Sequence, residues 1–185
     1  TPVNDNTPVA DTESFTVAEG ATANQTDLDS GTSLLDGDTD TDLPNDTLTI
    51  DTTAVAGPAH GSLTLNADGT FSYTHDDSEN FTDSFTYRVT DAVGNTDTAT
   101  VAITITPVND NTPVADTESF TVAEGATATQ ADLDAGTSLL DGDTDTDLPN
   151  DTLTVDTTAV AGPAHGSLTL NADGTFSYTH DGSEN

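Results

Sequence analysis

Residues 106–185 repeat residues 1–80 almost letter for letter, at an offset of 105. Thr1-Pro2-Val3-Asn4-Asp5-Asn6 returns as Thr106-Pro107-Val108-Asn109-Asp110-Asn111. Only five of the 80 aligned positions differ: Asn24/Thr129, Thr26/Ala131, Ser30/Ala135, Ile50/Val155 and Asp77/Gly182. A period of 105 is the size of a whole domain and too long for one coil of a solenoid. The sequence therefore holds one full repeat and most of a second. Near-identical copies head to tail predict a long array with mechanical or spacing work, since an enzyme gains little from copying its site in tandem. The chain starts without Met and has no membrane-length apolar run. It reads as a window on something longer, with any secretion signal or anchor outside it.

Net charge is −33, and Arg88 is the only Lys or Arg. Nothing could neutralise phosphates, so nucleic acid is excluded as a partner. Anionic membrane surfaces are disfavoured for the same reason. Such charge needs bound cations, high salt or a disordered chain; apolar residues patterned into strands argue against disorder. There is no Cys, hence no disulfide staple and no thiolate metal site. Calcium is the expected substitute staple.

Apolar residues alternate with Thr and Ser, the period of a strand. Strands are predicted at Glu13–Ala18, Thr47–Asp51, Ser62–Leu65, Thr70–His75, Ser84–Thr90 and Thr98–Ile105, with a further short one within Asn24–Leu35. Asn66-Ala67-Asp68-Gly69 and Asp91-Ala92-Val93-Gly94-Asn95 supply hairpin turns, glycine giving the positive φ a turn needs. About seven short strands per repeat predict an all-β fold of tandem Greek-key β-sandwiches, cadherin-like or Ig-like. The expected core is Phe15/Val17, Leu63/Leu65, Phe71/Tyr73, Phe85/Tyr87/Val89 and Val101/Ile103/Ile105. The expected organisation is a linker from a preceding repeat over 1–8, a first sandwich over 9–106, a short semi-rigid linker over 107–113, which the resemblance set out below makes calcium-binding, and a second sandwich over 114–185. The second lacks its last two strands, because the sequence stops before the counterpart of Phe81–Ile105. Either the window is arbitrary, or a neighbouring chain supplies the strands.

The connector Pro107-Val108-Asn109-Asp110-Asn111-Thr112-Pro113 resembles the cadherin linker Asp-x-Asn-Asp-Asn-x-Pro, with Pro107 in place of the leading Asp. Ala18-Glu19-Gly20 resembles the calcium-binding Glu that cadherins place after the first strand. Asp38-Thr39-Asp40, with Asn45-Asp46 following, resembles their Asp-x-Asp element, and Asp91 the Asp of their last hairpin loop. His60–Tyr73 is similar to the tandem repeats of giant bacterial surface proteins, including extender regions of repeats-in-toxin adhesins. The resemblance covers the whole 105-residue unit. It implies Ca2+ held by Glu19 and Asp91 of the first repeat, Asn109, Asp110 and Asn111 of the linker, and Asp143 and Asp145 of the second repeat. By the same repeat, it extends to Asn4, Asp5, Asn6, Asp38, Asp40 and Glu124.

The chemistry suits that ion, a hard cation that takes roughly six to eight oxygens. No single segment supplies so many, so the ligands have to converge from distant positions. The run from Asp36 to Asp42 is not an EF-hand: its sixth and twelfth positions are Thr41 and Thr47, where Gly and Glu are needed. Asp36 and Asp42 are read as solvated. Asp77 stands opposite Gly182 and is therefore no essential ligand. His60, His75, His165 and His180 do not cluster and are expected at turns or strand ends. No nucleophile–base arrangement or phosphate loop occurs, so no enzyme is expected.

The function expected is a calcium-stiffened extender of an extracellular adhesin or fibre on a bacterial surface, possible in biofilm. Its partners would be neighbouring repeats and other copies in a fibre, at roughly 40 Å per repeat. The alternatives are a direct adhesion module, homophilic or carbohydrate-binding, and a filament or sheath subunit completed by strand exchange. The absence of Trp counts against sugar stacking. Scattered Thr-x-Thr motifs count against ice binding.

Overall fold

The computed structural model describes residues 5–184. The chain divides into two compact units, Thr1–Val108 and Asn109–Asn185. Asn4, one of the predicted ligands, lies outside the described residues.

The described part of the first unit carries seven strands: β1 (Glu13–Ala18), β2 (Thr22–Asn24), β3 (Thr49–Ile50), β4 (Gly61–Leu65), β5 (Phe71–His75), β6 (Thr82–Thr90) and β7 (Thr96–Thr106). They form two sheets, ordered β1-β7-β6-β3 and β2-β5-β4. β1 runs parallel to β7, with Glu13 opposite Val101 and Ala18 opposite Thr106. β6 and β7 are antiparallel, from Thr82 opposite Thr104 to Thr90 opposite Thr96. Strict alternation places one row of each strand inside: Phe15 and Val17, Phe85, Tyr87 and Val89, Val101, Ile103 and Ile105 are all buried. Across the interior, Phe71 lies 5.4 Å from Phe15 and 5.9 Å from Phe85, centroid to centroid. The opposite row of β6 and β7 is mostly Thr and faces outward, as strand propensity favours on an exposed sheet.

Both predicted hairpin turns form. Gly69 has φ +83° and donates to the Asn66 carbonyl at 3.0 Å. Gly94 has φ +96°. Strand boundaries differ modestly from expectation: β6 and β7 are longer, and the predicted Thr47–Asp51 strand is only Thr49–Ile50. Asp77 sits at φ +67° and its counterpart Gly182 at +78°. That position asks for a left-handed backbone, which explains why glycine serves there.

The second unit has three described strands, β8 (Thr127–Thr129), β9 (Gly166–Leu170) and β10 (Phe176–His180), in the order β8-β10-β9. The counterparts of β1 and β3 form no strands here. In the first unit these two pair only with β7 and β6, and those partners have no counterpart in the sequence. The unit therefore departs from a sandwich short of two strands: four strand positions are missing, because pairing is mutual.

Candidate metal centre

Three carboxylates of the first unit converge at one end of its sandwich. Asp40, Asp46 and Asp91 each offer an oxygen, and these oxygens all lie within 4.8 Å of one another. They come from a loop following the Asp36 turn, from the approach to β3 and from the β6–β7 hairpin. The fold, not sequence proximity, collects them.

Each is aimed by the backbone. One Asp40 oxygen accepts from Asp42 N–H at 2.8 Å, and one Asp46 oxygen from Ala92 N–H at 3.1 Å. Asp91 Oδ1 accepts three hydrogen bonds, from the backbone N–H groups of Val93, Gly94 and Asn95 at 2.9, 2.6 and 2.8 Å. Burial pushes the Asp91 carboxyl up, but hydrogen bonds from Asn95, Gly94 and Val93 outweigh it and hold it below its usual range. The remaining oxygens of Asp40 and Asp46 are buried and have no hydrogen-bond partner among the described residues. An orphaned buried carboxylate oxygen is costly. Two of them, on residues grouped with a third carboxylate, offer the hard oxygen donors that calcium takes. No Cys is present and no His belongs to the group, so a soft transition metal does not suit it.

The incoming connector is tied to the same end. Asp42 accepts from Asp5 N–H at 3.1 Å, from Asn6 N–H at 3.0 Å and from the Asn6 side chain. The Asn6 backbone and side-chain bonds hold its carboxyl below the usual range. Asn95 Nδ2 donates to the Asn6 carbonyl at 3.0 Å. Asp5 and Asn6, both expected as ligands, are thus held at this end by Asp42, which the sequence reading took as solvated.

Glu19 lies at the other end of the first unit. Its N–H donates to the Thr106 carbonyl at 3.0 Å, and its Oε2 accepts from Val108 N–H at 3.1 Å. The expectation that Glu19 and Asp91 gather at one junction is therefore corrected. Glu19 follows the Ala18–Thr106 pair, whereas Asp91 follows the Thr90–Thr96 pair. The 11 residues of β7 run from one end to the other, roughly 33 Å. Hairpin loops alternate between the ends of a sandwich, so one repeat offers carboxylates at both.

A second correction concerns the Asp-x-Asp element. Asp38 does not join Asp40 at the end cluster. Its Oδ1 accepts from Asp11 N–H at 2.9 Å and from the Tyr87 hydroxyl at 3.2 Å. The pair serving the end cluster and connector is Asp40 and Asp42, two residues further along. The run Asp36–Asp42 places a carboxylate at every second residue, so composition alone could not fix the register.

The second unit reproduces part of this. Asp145 accepts from Asp147 N–H at 3.0 Å, and its other oxygen is buried with no hydrogen-bond partner among the described residues. Asp147 accepts from Asn111 N–H at 2.9 Å and from the Asn111 side chain at 3.0 Å. Asn111 also donates to Asp110. Asp143 departs as Asp38 does, accepting from Asp116 N–H at 2.9 Å. Asn109 is exposed and lines a cleft with Asp143 and Asp151. Glu124 is exposed beside His180 and Glu184. Sequence reasoning noted Asp46 only as following the Asp-x-Asp element, and it passed over Asn95. The signal for Asn95 was its place closing the hairpin that Asp91 opens.

The fold and the carboxylate ends define a cadherin-like β-sandwich repeat. Residues 4–107 match the family model of the bacterial cadherin-like domain, and residues 109–185 that of the bacterial Ig domain. The chain belongs to the bacterial cadherin-like domain family. Domains of these families are structural and adhesive modules, typically extracellular. A search of the curated proteins returns no match. Among solved structures, the protocadherin gamma B4 extracellular domain is similar over 100% of this chain and 28% of its own, at 20% identity and TM-score 0.57. Mouse cadherin-23 EC22-24 is similar over 97% of this chain and 56% of its own, at 22% identity and TM-score 0.54. These likenesses concern the fold, and the chain spans about a quarter to a half of those chains. Among the described residues no helix is long and apolar enough to cross a membrane.

Proposed function

We propose that the chain is a calcium-stiffened spacer from the stalk of an extracellular bacterial adhesin or fibre. The observation that carries this reading is the convergence of Asp40, Asp46 and Asp91 with buried, unpartnered oxygens on the first two. Calcium there would offset carboxylate repulsion that Arg88, the chain's single Lys or Arg, cannot. Asp42 and Asn95 already hold Asp5 and Asn6 against that end. A filled site would therefore immobilise the connector where it enters the repeat, and a joint fixed in this way transmits length and force. The partners implied are neighbouring repeats of the same array, and no residue is assigned a catalytic role.

The test is small-angle scattering of the 185-residue chain, titrated with calcium and separately with magnesium, alongside calorimetry. The reading predicts calcium-specific stiffening and a binding event that Asp40→Asn with Asp91→Asn removes. Calcium binding without a change in dimensions would make the end cluster a stability site only. Absence of binding would remove calcium from the account and leave a salt-adapted stalk stiffened by packing.

A further inference from the structure

Glu13 opens β1 in the same inward row as Phe15 and Val17, and is 4% exposed. A carboxylate in a core row needs compensation. Its Oε2 accepts only a long bond, 3.4 Å, from Ser30 Oγ. Its Oε1 has no hydrogen-bond partner among the described residues. Asp38 is 8% exposed. One of its oxygens is held by Asp11 N–H and Tyr87 O–H, and the other is buried with no hydrogen-bond partner among the described residues. Asp11, Asp38 and Asp36 are the like charges that act on Glu13. The intervening loop is cut to fit them: a Cβ on Gly37 would collide with the Asp11 carboxylate, and one on Gly31 with that of Asp36. The only basic side chain able to answer them, Arg88, is paired with Asp51 at 3.4 Å.

We infer a second calcium site in the flank of the repeat, with Glu13 and Asp38 as inner ligands and Asp11 and Asp36 as outer ones. It is separate from the end cluster: Asp38 accepts from Asp11 N–H and Tyr87 O–H, while Asp40 is grouped with Asp46 and Asp91. The same four carboxylates recur in the second unit. Asp116 N–H donates to Asp143, and Glu118 is acted on by Asp116, Asp141 and Asp143. Asp116, Glu118 and Asp141 there line a cleft of about 280 Å³. An ion in the flank would fasten the segment just past the connector to the sandwich, through the Asp38–Tyr87 contact.

Tyr87 provides the readout, because its hydroxyl touches Asp38 and tyrosine sensitises bound terbium. The 185-residue chain carrying Glu118→Gln, so that the first-unit site is read alone, is titrated with terbium and then with calcium as competitor. Tyrosine-excited emission should appear, be displaced by calcium and fall by roughly half or more in Glu13→Gln and in Tyr87→Phe. It should persist in the end-cluster variant Asp40→Asn/Asp91→Asn, which separates this inference from the reading above. Asp36→Asn, on an exposed loop residue, repeats the test should Glu13→Gln fail to fold. Emission indifferent to these flank substitutions, or abolished by the end-cluster variant, overturns the site. Melting gives a second check in the end-cluster background. In chelator Glu13→Gln should melt above its parent, and calcium should raise it less. An equal calcium gain in both, or full replacement of calcium by sodium, overturns the assignment.

Discussion

The two units share all but five of 80 aligned residues, yet they do not hold the same structure. The letters ESFTVA form β1 at 13–18, whereas at 118–123 they leave only an isolated bridge between Phe120 and Leu133. Phe15 is 1% exposed, and Phe120 is only half-buried. Tyr73 is fully buried, and Tyr178 is not. Leu34 and Ile50 lie in the core of the first unit, while their counterparts Leu139 and Val155 line an open cleft of about 600 Å³. By contrast, β9–β10 reproduces β4–β5 in the same register, and β8 with its short 3-10 turn reproduces β2 with its own. Hairpins and caps are encoded locally. β1 and β3 are strands only because β6 and β7 receive them.

The largest effect should come from removing that difference. Adding the sequence of Phe81–Ile105 after Asn185 should restore the β6–β7 pair to the second unit. Amide exchange in β10 should then slow by about two orders of magnitude or more, approaching β5. Peptides spanning Asp77 and Gly182 differ in mass, so the two copies can be followed in one sample. Unchanged exchange in β10 would mean that the missing strands are not what separates the units.

Next in size is one substitution made in each copy. Phe15→Ala removes a ring packed against Phe71 and Tyr73, and should cost about 3–5 kcal/mol. Phe120→Ala removes the same contacts, to Phe176 and Tyr178, from a half-open site, and should cost less than about 2 kcal/mol. Chemical denaturation read through exchange in each unit measures both. Equal costs would show that burial of the ring, rather than its contacts alone, does not set its worth here.

Much of the sandwich was legible in the sequence because period-two alternation and Asn/Asp-Gly turns act over a few residues. The inward rows, such as Phe85, Tyr87 and Val89, follow from parity alone. The candidate site was less legible. Its residue type was plain, but its grouping depended on which hairpin loop lies at which end, and its register on a run where every second residue is Asp. Glu13 carried a readable signal that went unused: it shares parity with Phe15 and Val17, so alternation itself points a carboxylate inward.

The buried carboxylates also set a pH dependence in the absence of calcium. Burial, then Asp11, raises Glu13 from 4.5 to about 6, and burial raises Asp38 from 3.8 to about 6. Between the unfolded and folded values the folded protein binds more protons, so stability rises as pH falls from above about 6 toward 4.5. For Glu13 the gain is at most about 2 kcal/mol. Below that window Asp42 and Asp91, held low in the folded state, take up protons at a cost. Melting in chelator should peak near pH 4.5, and Glu13→Gln should flatten the limb between pH 4.5 and 7. A melting temperature that rises steadily up to pH 7 would sink this account of the flank.

The smallest expected effect tests the part of the comparison where the units agree. Asn24 and Thr129 cap the same short turn. Asn24 Oδ1 accepts from Thr26 N–H at 2.9 Å, whereas Thr129 Oγ1 accepts from Ala131 N–H at 3.4 Å. The reciprocal arm is identical: Asp27 and Asp132 each accept from the cap residue's N–H at 2.8 Å. Only one arm of the capping box differs, so Asn24→Thr should cost about 0.5 kcal/mol or less. That corresponds to a melting shift of about 1–4 °C for a domain of this size. Thr129→Asn should return a similar amount to exchange protection in β8, because this turn needs neither β6 nor β7. A response confined to the first unit would mean that even the cap draws its strength from the completed sandwich, and that the boundary between locally and mutually encoded structure lies closer to the hairpins.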